Sequence, residues 1–133
     1  MRSVHIITVM CKKMKHLLIL ITLFITPFAY VNANEAKGHI AFFMLLSEND
    51  QGYVEINEDF NYYYQNLSSW LNKNKYTYSR HTALPIKIKK KIFSKQELGS
   101  DVGVILIKNN NSYKIIQGIG TDVDLMVDIN AFY

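Results

Sequence analysis

Ser79, Arg80, His81 and Thr82 stand consecutively in this chain, and a histidine among hydroxyls has the composition of a hydrolytic site. A serine becomes a nucleophile when an imidazole takes its proton and a third group holds that imidazole in place. Alternate residues of an extended strand share a face, so Ser79 and His81 point one way and Arg80 and Thr82 the other. No glycine elbow flanks Ser79 to lift its hydroxyl out of the strand. The residues therefore favour an ordinary edge-strand histidine, with a small hydrolase using His81 and loop carboxylates as the enzymatic alternative.

The acids fall in two groups. Glu48, Asp50, Glu55, Glu58 and Asp59 follow the first apolar segment, and Asp122, Asp124 and Asp128 open the last one. Carboxylates in pairs do acid–base work or hold calcium. "ENDQG" lacks the alternating spacing and the distal Glu of a calcium loop, and helix-dipole complementarity accounts for most of these acids. Beyond residue 33 the histidines are His39 and His81. Neither has a cysteine or histidine at ligand spacing, so the sequence predicts no metal and no cofactor.

Surface contact is the better-supported chemistry. No acid lies between Phe60 and Gln96, where Lys73, Lys75, Arg80, Lys87, Lys89, Lys90, Lys91 and Lys95 all fall. Five of them crowd into "IKIKKKIFSK". Lysines on an edge strand block unwanted pairing, and the same run offers a docking face to an acidic protein, a cell-wall polymer or lipid headgroups. Tyr62, Tyr63 and Tyr64 occupy successive helix positions that span most of the circumference, so at least one is exposed. Exposed tyrosine near Lys or Arg is interface composition. The candidate contact residues are Arg80, Lys87, Lys89, Lys90, Lys91, Tyr62 and Tyr78.

Residues 1–33 read as a secretory signal peptide, with Met14 an alternative start. Lys12, Lys13 and Lys15 precede an apolar run of 15 residues, Leu17 to Val31, and Val31-Asn32-Ala33 offers small residues for cleavage after Ala33. As a helix the run reaches about 22 Å, short of the ~30 Å hydrocarbon core. Arg2, three lysines and the single cysteine, Cys11, leave with it. The remaining 11 basic residues balance the 11 acids, which removes a nucleic-acid reading based on net charge. A chain without a thiol runs no disulfide exchange. Residues 34–133 suffice for one domain, expected in the periplasm or outside a bacterial cell, with no membrane span after cleavage.

Several elements must position these residues. "GHIAFFMLLS" (38–47) and "DVGVILIK" (101–108) are apolar on both alternations and read as central strands. The stretch 57–75 is a helix capped by Asn57, with Phe60, Tyr63, Tyr64, Leu67, Trp70 and Leu71 on its stripe. "YTYSRHTALPIKIKKKIF" (76–93) reads as one edge strand along which Lys87, Lys89 and Lys91 alternate, "SKQELG" as a short helix, and "YKIIQGIG" (113–120) as a hairpin strand at the other edge. Thr121 and Asp124 begin a final helix that buries Leu125, Met126, Ile129 and Phe132. The fold class is α/β in the α+β sense, a small mixed four-stranded sheet with two main helices. Its order, β-α-β-(short α)-β-β-α, resembles the thioredoxin-like fold over nearly all of residues 34–133. "SENDQGYVEINED" stands where that family carries Cys-x-x-Cys, and "LGSD" where it has a proline before the third strand. The resemblance thus implies a scaffold without redox chemistry. The expectation is an exported, non-catalytic protein acting by surface contact, such as an inhibitor, an immunity factor or an accessory subunit of an envelope complex; a redox-inactive, thioredoxin-like substrate-binding scaffold is a further alternative.

Overall fold

The computed structural model describes residues 35–133; the signal-peptide expectation lies outside the described residues. The elements are β1 (Gly38–Met44), α1 (Tyr53–Lys73), β2 (Tyr76–His81), β3 (Ile86–Ile88), β4 (Lys91–Phe93), α2 (Lys95–Leu98), β5 (Val102–Lys108), β6 (Tyr113–Gln117) and α3 (Asp122–Phe132). Four strands form a mixed sheet in the order β2-β1-β5-β6, and β3 and β4 form a separate two-stranded sheet. β1 runs parallel to β2 and antiparallel to β5, and β5 is antiparallel to β6. The fold is α+β, with the two doubly apolar strands inside. Among the described residues no helix is long and apolar enough to cross a membrane.

Both faces of the sheet are covered, which is why β1 and β5 need apolar residues at every position. Ile40, Phe42, Met44, Val104 and Leu106 meet Phe60, Tyr63, Leu67 and Leu71 of α1 and Leu125 and Ile129 of α3. On the other face Ala41, Phe43, Ile105 and Ile107 meet Ile86, Ile88 and Phe93 of the β3–β4 hairpin and Leu98 of α2. Fully burying such a side chain stabilises by about 1.5–3 kcal/mol, so the small second cluster suffices to hold the hairpin down. Gly103 serves this packing directly. A Cβ there would come within 2.8 Å of the Phe43 ring.

Two elements differ from the sequence expectation. α1 begins at Tyr53, not at Asn57, because Gly52 turns the chain at φ 79 and starts the helix four residues earlier. Tyr53 and Ile56 extend the buried stripe against the first core cluster, within a stretch whose acids read as loop. Residues 76–93 are not one edge strand. β2 ends at His81, and the chain folds back as the β3–β4 hairpin, with Ile88 opposite Lys91 around a turn of Lys89 and Lys90. Ile86, Ile88 and Phe93 are 0%, 5% and 1% exposed, so this segment buries its apolar residues on the sheet face rather than extending the edge. Lys87, Lys89 and Lys91 consequently do not line one edge. The short-range signals hold: Ser94 and Glu97 make a reciprocal capping box on α2, and Thr121 Oγ1 accepts from the Asp124 N–H at 3.1 Å.

Candidate functional site

Strand register gathers lysines from distant segments at one end of the sheet. Gly38 lies opposite Tyr76 on one side and Lys108 on the other, and the Lys37 N–H donates to the Lys75 carbonyl at 2.9 Å. Lys37, Lys75 and Lys108 therefore share that end. The hairpin turn reaches it too, since Lys89 Nζ donates to Asn109 Oδ1 at 3.2 Å. Lys37, Lys75, Lys89 and Lys90 are exposed and Lys108 half-buried. The ion pairs among the described residues are Lys95–Asp101 and Lys114–Asp128, and neither involves these five lysines. Glu35 precedes them in sequence and pairs with none. Aromatic rings hold two of the stems in place: Lys37 lies 5.6 Å from the Tyr76 centroid and Lys108 4.8 Å from that of Phe132. The result is a cationic pole.

The other candidate contact residues are elsewhere. Lys91 is half-buried, its ammonium 4.1 Å from the Tyr113 ring centroid on β6. Tyr78 and Arg80 point to the helical face, as strand alternation requires. Arg80 lies 4.9 Å from the Phe60 ring centroid and donates through Nη1 to Asn61 Oδ1 at 2.6 Å. The Tyr78 ring packs edge-on against Tyr64, and its hydroxyl accepts from Asn72 Nδ2 at 3.2 Å. Tyr62 is 71% exposed and lines a cleft of about 340 Å³ with Asp59, Tyr63, Thr121 and Asp122. Tyr62, Tyr78 and Arg80 do not join the lysines. Lys87, Lys89 and Lys90 remain together on the hairpin.

On the hairpin side of the sheet a chain of polar groups runs across β1 and β2. Thr77 Oγ1 donates to the Gly38 carbonyl at 3.2 Å, so it accepts from His39 Nδ1 at 2.8 Å. His39 Nε2 is then the acceptor for the Ser79 hydroxyl at 2.7 Å. Ser79 Oγ in turn accepts from His81 Nε2, also at 2.7 Å. Burial, followed by the charges of Lys89 and His81, lowers the His39 pKa to about 4. Burial also lowers that of His81. Both rings are neutral at neutral pH, because each loses hydration that the imidazolium needs.

Ser79 and His81 do share a face, but the partner of His81 is Ser79 and not a loop carboxylate. Asp50 Oδ2 instead accepts from the Ser47 N–H at 2.7 Å. The group sequence reasoning missed is His39, 40 residues from Ser79. It interrupts an otherwise apolar strand, the one local hint available, and only the parallel register of β1 and β2 brings it to Ser79. No family model matches this chain, and neither a curated protein nor a solved structure matches it.

Proposed function

We propose that this protein is a non-catalytic binding module that docks through its lysine pole on an acidic protein partner, as an inhibitor, immunity factor or accessory subunit does. One observation carries the reading: Lys37, Lys75, Lys89, Lys90 and Lys108 come from four segments and, among the described residues, meet without a carboxylate partner. Unpaired cations on one pole raise the encounter rate with an anionic surface and select against cationic ones. Edge protection requires charges spaced along an edge strand, so it does not account for lysines that four segments bring to one end of the sheet. The residues from Lys12 to Ala33 support export, and the envelope is the compartment in which the partner is to be sought. The strand order β2-β1-β5-β6, with its first pair parallel and the others antiparallel, supports a redox-inactive thioredoxin-like scaffold as the frame.

The test is capture from envelope extract with the wild-type chain and with a variant carrying Lys37→Glu, Lys75→Glu, Lys89→Glu and Lys108→Glu. A partner retained by the wild type, lost by the variant and released as salt rises supports the pole as the contact. Equal capture by both, across a salt series, removes it. The mature N-terminus of the exported protein should be Asn34 by mass spectrometry, and a native protein that keeps residues 14–33 ends the export reading.

A further inference from the structure

The carboxylates gather as the lysines do, at the opposite end of the sheet. β1 leaves the lysine pole at Gly38 and reaches the far end at Met44, opposite Val102. There the Leu45 N–H donates to the Asp101 carbonyl and the Gly118 N–H to the Val102 carbonyl, each at 2.7 Å. α1 starts from this end at Tyr53 and α3 at Asp122. Both run back to the pole, where Lys75 bonds Lys37 and the Tyr133 ring covers Gly38.

Asp50 precedes α1, Glu55, Glu58 and Asp59 lie on its first two turns, and Asp122 and Asp124 lie on the first turn of α3. These acids therefore share the far end, and Asp59 and Asp122 line one cleft of about 340 Å³ with Tyr62 and Tyr63. The ion pairs among the described residues are Lys95–Asp101 and Lys114–Asp128, which leave all six without a cationic partner. Arg80 is near them, but its guanidinium rests on the Phe60 ring and donates to Asn61.

We propose that a second copy of this chain is the acidic partner of the lysine pole, an inference that rests on the pole being a contact surface, and that copies join head to tail through the far end. Distance is the first support. α1 has 21 residues, and at about 1.5 Å per residue its ends stand about 30 Å apart. The Debye length is about 8 Å at physiological salt. The two groups of charge are too distant to neutralise each other within one chain, so each faces solvent in full.

Apolar surface is the second support, because charge gives orientation and encounter rate more than affinity. Tyr62 is 71% exposed on α1, and Val123, next to the cleft residue Asp122, is 62% exposed on α3. The cleft suits a lysine side chain, with tyrosine rings along the stem and carboxylates for the ammonium. Lys75, Lys89 and Lys90 stand exposed at the pole to supply one. Symmetry sets the form of the assembly. Two poles turned towards each other repel, which disfavours a two-fold end-to-end dimer. A head-to-tail contact leaves one pole and one acidic end free, and a third copy adds in the same way.

The experiment is analytical ultracentrifugation of the full chain, in the form the cell leaves it, over concentration and salt. At about 0.01 M ionic strength the Debye length is about 30 Å. The mean mass there should exceed that of a dimer as the chain approaches about 1 mM. The association constant should fall about tenfold or more by about 0.15 M. Two neutralised variants locate the surfaces. One carries Lys37→Gln, Lys75→Gln, Lys89→Gln and Lys90→Gln at the pole; the other carries Glu55→Gln, Glu58→Gln, Asp59→Asn and Asp122→Asn at the far end. Each should be monomeric alone, and their mixture should form a one-to-one pair that grows no further. A wild-type chain that stays monomeric at low salt overturns the proposal without any variant, as does association that stops at a dimer or ignores salt. A mixture of folded variants that stays monomeric overturns it too. Capture from envelope extract separates the second copy from the pole itself. If the far-end variant retains an acidic protein while the wild type never self-associates, the second copy is wrong and the pole stands as a contact surface. If the wild type self-associates through the pole and the far-end variant captures nothing, the second copy is the whole partner.

Discussion

Tyr133→Phe should loosen the end of the sheet that carries the lysine pole. The Tyr133 hydroxyl accepts from the Ile107 N–H at 3.0 Å and lies 3.0 Å from the carbonyls of both His39 and Ile107, between which its single proton is shared. It thus staples β1 to β5 beside Gly38 and Lys108. The ring lies over Gly38, where an added Cβ would collide with it and come within 2.8 Å of its Cζ, and it packs against Tyr76 with centroids 4.9 Å apart. Phenylalanine keeps this packing, so the variant isolates the hydroxyl. Ile107 is 0% exposed, and water cannot readily replace the lost partner. A buried donor left unsatisfied costs about 1–3 kcal/mol. For a domain of this size each kcal/mol lowers Tm by about 4–8 °C. Urea unfolding should show the loss with an unchanged m-value, because the surface exposed on unfolding is the same. A loss below about 0.5 kcal/mol, the range of a neutral surface change, would refute the staple. Gly38→Ala gives the converse check: it should destabilise the wild type and cost measurably less beside Tyr133→Ala, since the ring it strikes is gone.

His39 should protonate only near pH 4 by histidine NMR. Its folded pKa lies below the unfolded value of about 6.5, so its contribution to stability is full above that value and is lost as pH falls from about 6.5 towards 4. A His39 titration at an ordinary histidine pKa would contradict the burial described. Phe93→Ala should cost about 3–5 kcal/mol, since the ring is 1% exposed and joins the hairpin to Ile105 and Ile107; an unchanged melt would mean that the hairpin does not rest on the sheet. Ser94→Ala should cost about 1 kcal/mol, confined to exchange of the α2 amides, as its capping box is local.

Much of the fold was legible in the sequence because its signals are local. Apolar residues on both alternations of 38–47 and 101–108 require cover on both faces, which places those strands inside the sheet. The short helix of "SKQELG" and the helix start at Thr121 with Asp124 were legible because a cap is a bond over three residues. The early start of α1 was hidden because Gly52 acts through a backbone angle, while the acids around Tyr53 and Ile56 imitate a loop. The break in 76–93 was hidden for a different reason. An alternating apolar–lysine run fits an edge strand and a hairpin equally well, and only the uncovered face formed by Ala41, Phe43, Ile105 and Ile107 selects the hairpin.

The candidate sites belong almost wholly to the tertiary structure. Lysine content between residues 73 and 95 was plain in the sequence, but Lys37 and Lys108 join it through the register at Gly38. His39 and His81 lack ligand spacing along the chain, and a parallel pairing that can form only after α1 has crossed over the sheet brings them to one hydroxyl. Sequence determined which residues must be buried, since that depends on each side chain and its near neighbours. Which charges and imidazoles meet depends on pairings between segments tens of residues apart, and those are set by the packing of the whole sheet.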